Sequence, residues 1–227
     1  MSHHSSRPRS DLGEISQIEF RRHSRHWLQQ QTSETLTQIS QQLNDILQRQ
    51  LFPWLLTLPT VANPRGICTL GFFNALPLEI DLHSSAENWL SLGKSIAYPK
   101  IEGKNLSYRR CPHLSVTETQ WIKGGFGVNE PPLDWPEVKD LSDLDLIFVP
   151  GLAFSRRGSR VGRGGGYFDR LFAQNSRSIR VGVAPSALVS DDLPQNPWDQ
   201  SVDIMVTELE IWDTDTLSPL KSGVAPR

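Results

Sequence analysis

Residues 145–170 read Asp-Leu-Ile-Phe-Val-Pro-Gly-Leu-Ala-Phe-Ser-Arg-Arg-Gly-Ser-Arg-Val-Gly-Arg-Gly-Gly-Gly-Tyr-Phe-Asp-Arg. The apolar run 145–154 has the composition of a strand buried on both faces, the mark of a parallel sheet, and it feeds the following loop directly. In that loop Gly158, Gly162, Gly164, Gly165 and Gly166 let the backbone approach a ligand, because no Cβ stands in the way. If residues 167–173 form the next helix, its first amides and its dipole favour an anion in the same space. Arg156, Arg157, Arg160 and Arg163 add charge, and a guanidinium can bond a phosphate or carboxylate through two parallel hydrogen bonds. The spacing matches neither the P-loop nor the dinucleotide fingerprint. The residues alone therefore leave three readings: a small-molecule phosphate site, a solvated turn, or a nucleic-acid contact.

Upstream, residues 15–31 carry Ile15, Ile18, Phe20 and Trp27 at loosely helical spacing, with Arg21, Arg22 and Arg25 expected on a solvated basic face. Thr32 and Ser33 offer an N-cap for a second helix through residue 50, buried along Leu36, Ile39, Leu43, Ile46 and Leu47. Residues 67–73 read as a buried strand. Glu79 follows just beyond its end, where a carboxylate is well placed to meet a ligand, although solvated loop acids are commoner. Ser84 or Ser85 is expected to cap a helix through Leu92. Residues 95–99 and 106–111 read as strands joined by a turn at Gly103. The glycine-proline loop 124–132 presents Phe126, either to stack on a flat ligand or to pack beneath the loop. Residues 179–184 and 203–207 supply further strands, the latter expected to be the last. Strands alternating with helices predict a single-domain, three-layer α/β/α fold with a mostly parallel, Rossmann-like sheet and ligands beyond its carboxyl edge. The domain is expected over residues 15–212, between a disordered segment, 1–14, and a loose polar tail, 213–227.

The chain has 227 residues and a net charge of -2, so it carries no global attraction to nucleic acid or to anionic membranes, and the arginine cluster is local. Cys68 and Cys111 lack metal-ligand spacing and read as buried thiols. No catalytic triad order stands out, and none of the six histidines is assigned chemistry. The absence of a long apolar run predicts a cytoplasmic protein without a membrane partner.

From Val149 through Arg170 the chain resembles the 5-formyltetrahydrofolate cyclo-ligase family. Further pieces match in order: Glu79 within Pro-Leu-Glu-Ile-Asp, Gly93-Lys94, Phe-Gly-Val-Asn-Glu-Pro at 126–131, Leu193-Pro194, Asp199, Val202-Asp203 and Thr207-Glu208. The resemblance covers about residues 17–208. It implies ATP-dependent closure of 5-formyltetrahydrofolate, including polyglutamylated forms, to 5,10-methenyltetrahydrofolate, through phosphorylation of the formyl oxygen and with Mg²⁺, by a monomer. It further implies that Arg21, Arg160, Gly162, Arg163, Gly164, Gly165, Gly166, Tyr167 and Phe168 bind ATP. Glu79, Phe126, Arg163, Gly164 and Tyr167 would hold the folate, Asp169 and Asp199 the metal, and Arg163, Tyr167 and Asp169 would carry catalysis. The chain departs from the family pattern at Gln17, where a lysine is usual, and at Ser155, Phe168, Pro185, Leu188 and Trp198, changes expected to cluster near the pocket. A non-catalytic folate- or nucleotide-binding relative is the alternative reading.

Overall fold

A computed structural model describes residues 16–58, 69–113, 115–116, 120–174 and 177–221. The expected disordered segment 1–14 and Cys68 lie outside them. Ser16 opens the first helix, α1 (Gln17–Gln30), with a capping box: its hydroxyl accepts from the Glu19 amide while the Glu19 carboxylate accepts from the Ser16 amide. Thr32 caps α2 (Ser33–Ile46) as its sequence predicts. The helix does not stop at residue 50; it widens into a π-helical turn at Leu47–Leu51 and continues as α3 (Phe52–Leu55). Pro53 has no N–H to bond the preceding turn and its ring crowds it, which is a physical reason for the widening there.

Strand β1 (Thr69–Gly71) is followed by α4 (His83–Ser91). The expected serine cap of α4 is replaced: Asp81 Oδ1 accepts from the His83 amide at 2.9 Å, and Ser85 lies buried inside the helix with its amide donating to Asn44 Oδ1. Strands β2 (Ser95–Glu102) and β3 (Asn105–Arg110) form an antiparallel hairpin. A smaller hairpin joins β4 (Ile122–Lys123) to β5 (Asn129–Glu130).

The decisive run 145–154 is two strands rather than one. β6 (Leu146–Pro150) runs through the centre of the large sheet, and β7 (Ala153–Ser155) leaves it to pair with β8 (Arg160–Val161) and β10 (Val189–Ser190) in a small second sheet. Pro150 cannot donate to a ladder, so the apolar character continues while the pairing changes. α5 (Tyr167–Gln174), β9 (Ile179–Val183) and β11 (Ile204–Val206) follow, and a strand that the sequence did not announce, β12 (Ile211–Asp213), adds antiparallel to β11.

The large sheet has the order β12-β11-β9-β6-β1-β2-β3, parallel throughout its four inner pairings and antiparallel at both edges. Alternate residues of β6 explain the three layers. Leu146 and Phe148 join α2, α3 and α4 in one core, whereas Ile147 and Val149 pack with Leu171 and Phe172 of α5 in the other. α1 covers the small sheet, with Phe20 against Ala153 and Val161 and Leu28 against Leu36, Leu152 and Leu188. Where composition predicts a loose tail, residues 214–221 are held: Asp213 Oδ1 accepts from the Asp215 and Thr216 amides, and Trp54 Nε1 donates to the Lys221 carbonyl at 2.8 Å. Among the described residues no helix is long and apolar enough to cross a membrane.

Candidate functional site

A cleft of about 960 Å³ opens at the carboxyl edge of the sheet, within the size range of small-molecule sites. Residues just after β1 (Phe73, Asn74, Leu76), the end of β6 (Pro150), the start of α1 and the loop before α5 all reach it. Every residue that the resemblance marks as a site residue lines this one space: Arg21, Glu79, Phe126, Arg160, Gly162, Arg163, Gly164, Gly165, Gly166, Tyr167, Phe168, Asp169 and Asp199.

The cradle is shorter than its composition suggests. Residues 155–159 form the β7–β8 turn, with the Ser155 amide donating to the Ser159 carbonyl at 2.8 Å and Gly158 packed against Val202. Arg156 turns away, paired with Glu210 at 2.8 Å and stacked over Trp212, and Arg157 is exposed outside the cleft. The working part is 160–170. Gly164 and Gly166 take φ of 104° and 64°, which turns successive amides outward. Among the described residues no acceptor bonds the amides of Gly164, Gly165 or Gly166. Unbonded amides beside the N-terminus of α5 make an anion seat.

Arg163 and Glu79 are joined, Nε to Oε1, at 2.6 Å. Glu79 reaches the cleft from a tight turn in which Leu78 has φ of 69°, and its other oxygen accepts from the Leu76 amide at 2.8 Å. The pair ties the β1 loop to the cradle and leaves the terminal nitrogens of Arg163 without an acceptor among the described residues. Arg160 is different in kind: its side chain is 6% exposed and bonds Asp169 Oδ1 at 2.9 Å and the Pro150 carbonyl at 3.2 Å. Phe126 does not pack beneath its loop. It is 77% exposed, with φ of 57°, and meets Tyr167 edge-on at 6.2 Å. Phe168 is shared between the cleft wall and the core beside α5.

Asp169 and Asp199 face the cleft from α5 and from the 194–199 loop, whose following residue touches Asp169 through the Gln200 amide at 3.4 Å. Asp199 Oδ2 accepts from Gln17 Nε2 at 2.6 Å and from the Asn196 amide at 2.7 Å. One oxygen of each carboxylate, Oδ2 of Asp169 and Oδ1 of Asp199, has no donor among the described residues. Among the described residues no cluster of three or more acidic, His or Cys side chains exists. Two available carboxylate oxygens suit Mg²⁺, which keeps several waters and takes the rest of its shell from substrate phosphate; the donor set fits that ion.

Several cleft residues had no site role in the residue-by-residue reading, although the resemblance marked Arg21 for ATP and Gln17 as a departure near the pocket. Arg21 and Arg25, expected on a solvated face, line the cleft with Gln17, and Arg21 donates to the Gly162 carbonyl at 3.0 Å and to Gln17 Oε1 at 2.8 Å. Their spacing, 17, 21 and 25, is the signal that places them on one helical face. Arg170 bonds the Lys104 carbonyl at 2.7 Å and the Gly165 carbonyl at 2.9 Å, clamping the β2–β3 turn onto the cradle. Glu130, buried under the 124–130 hairpin and paired with Lys100 at 2.8 Å, forms part of the floor. Of the family departures, only Gln17, Phe168 and Trp198 line the cleft. Ser155 is buried in its turn, while Pro185 precedes and Leu188 ends a short 3₁₀ turn, and both line a small cavity that also touches Glu79, Pro150 and Arg163.

An open α/β sheet whose carboxyl edge carries an arginine- and glycine-lined cleft defines an enzyme that handles anionic small molecules. The chain belongs to the 5-formyltetrahydrofolate cyclo-ligase family, whose model matches residues 21–208. It is 38% identical over 114 residues to the 5-formyltetrahydrofolate cyclo-ligase of Haemophilus influenzae, covering 49% of this chain and 58% of that one. To the Escherichia coli K12 protein of the same name it is 28% identical over 151 residues, covering 64% and 80%. The solved structure of Aquifex aeolicus 5,10-methenyltetrahydrofolate synthetase superposes with a TM-score of 0.70 at 28% identity, covering 87% of this chain and 92% of that one.

Proposed function

We propose that this enzyme closes 5-formyltetrahydrofolate to 5,10-methenyltetrahydrofolate at the expense of ATP, releasing ADP and phosphate. The observation that carries the reading is the Arg163–Glu79 pair, which sets an anion-binding cradle and a folate-orienting carboxylate side by side in one cleft. The formyl oxygen attacks the γ-phosphorus and ADP leaves; N10 then attacks the activated carbon, loses its proton, and the former formyl oxygen departs within phosphate. Phosphoryl transfer asks the protein mainly for position and for charge on the transferring oxygens. The Gly164, Gly165 and Gly166 amides and the Arg163 terminal nitrogens supply both, and Arg21, fixed to Gly162, adds charge at the cradle's edge. Glu79 accepts hydrogen bonds from the folate ring, and Phe126 and Tyr167 enclose its flat face.

Asp169 and Asp199 would hold Mg²⁺, which supplies charge neutralisation at the phosphates. Arg160, its side chain 6% exposed, holds Asp169 in place through their 2.9 Å bond. We read the enzyme as a cytoplasmic monomer that acts on diffusible substrates, polyglutamylated folates included. Substrate carrying ¹⁸O in the formyl group tests the chemistry: the label is expected in inorganic phosphate. Label released as formate or water would contradict the reading.

A further inference from the structure

We propose that Trp198 is the platform on which the nucleotide's base stacks, an inference that rests on the nucleotide reading above and adds a subsite to it. Trp198 lines the cleft and is 68% exposed, whereas every other described tryptophan is buried or half-buried. No hydrogen bond or ring contact with the described residues uses its indole. Leaving so large an apolar surface in water is unfavourable by about 25 cal/mol per Å², so an uncovered indole at a cleft points to a flat ligand.

The loop that carries the ring is fastened. Asp199 Oδ2 gathers the Asn196 amide and Gln17 Nε2, and Gln17 Nε2 also reaches the Pro194 carbonyl at 3.1 Å. The layout of the cleft assigns the ligand. Folate has its own aromatic wall at Phe126 and Tyr167, on the Glu79 side. The phosphates have the 162–166 amides, with Asp169 and Asp199 close by. Trp198 adjoins Asp199, on the wall formed by Gln17 and Asn196, which leaves it for the part of the nucleotide that continues beyond the phosphates. A base meeting an indole face gains about 1–3 kcal/mol without any reading of its hydrogen-bonding edge.

Binding of adenylyl imidodiphosphate with Mg²⁺ tests this, followed both by tryptophan emission and by equilibrium dialysis, with inorganic tripolyphosphate as the base-free comparison. The analogue is expected to quench wild-type emission, and W198A to weaken its affinity about 5- to 100-fold, with W198F close to wild type. Tripolyphosphate is expected to bind wild type and W198A equally. Equal affinity of the analogue for wild type and W198A overturns the base platform and leaves the nucleotide site standing. An equal loss of tripolyphosphate affinity in W198A also overturns it, because the ring would then serve the phosphates or the loop. Failure of wild type to bind the analogue overturns both the platform and the nucleotide reading.

Discussion

Arg160 and Arg163 lie three residues apart with the same charge, and the fold gives them opposite surroundings. The Arg163 side chain is 38% exposed and keeps its terminal nitrogens for a ligand, while Arg160 is buried against Asp169. Removing one partner of a buried pair leaves an uncompensated charge, worth about 3–5 kcal/mol in full burial and less here, where Asp169 is 21% exposed. R163A is expected to lower turnover by about 100-fold or more, as loss of a transition-state charge contact does, with a smaller loss of thermal midpoint, because Glu79, 12% exposed, loses its partner but keeps the Leu76 amide. D169N is expected to lower turnover and the midpoint together. Paired activity and melting measurements check this; a D169N protein as stable as wild type would mean that the Arg160 pairing is not a structural support.

The same distinction recurs among elements. The turn of the β7–β8 hairpin sits beside the cleft rather than in it, and it is made by Gly158 at φ of +84°, where an added Cβ would lie 2.3 Å from the Val202 carbonyl oxygen. G158A is expected to destabilise the protein by roughly 2–3 kcal/mol, from the left-handed backbone and the clash together, and urea unfolding measures it. An unchanged midpoint would contradict the turn geometry. In the sequence this glycine looks like a cradle residue, because composition does not show which glycines face a ligand and which face a carbonyl. The break of 145–154 at Pro150-Gly151 was hidden for a related reason: both halves are apolar, and only the pairing partners differ. The parts legible in advance were those with local causes, such as the Thr32 cap, the β2–β3 turn and the helix after Gly166. Arg170 and Trp198 gain their places only when distant elements meet at the cleft, which no local pattern records. Glu79, Asp199 and Phe126 were found through ordered family resemblance rather than through spacing.

At the scale of the molecule, the parallel sheet brings the ends of β1 and β6 to one edge, and the small sheet and α1 wall that edge on one side. The resulting cleft has an acidic pair, an amide cradle and two separate aromatic surfaces, Phe126 with Tyr167 and Trp198. This division suits the proposed reaction between a nucleotide and a folate. The most direct measurement mixes purified protein with 5-formyltetrahydrofolate, ATP and Mg²⁺ while following the methenyltetrahydrofolate chromophore and ADP together. The account predicts that the two rise in a one-to-one ratio and that neither appears when ATP or the folate is left out; binding of both ligands with no chromophore, or ADP formed without it, would contradict it.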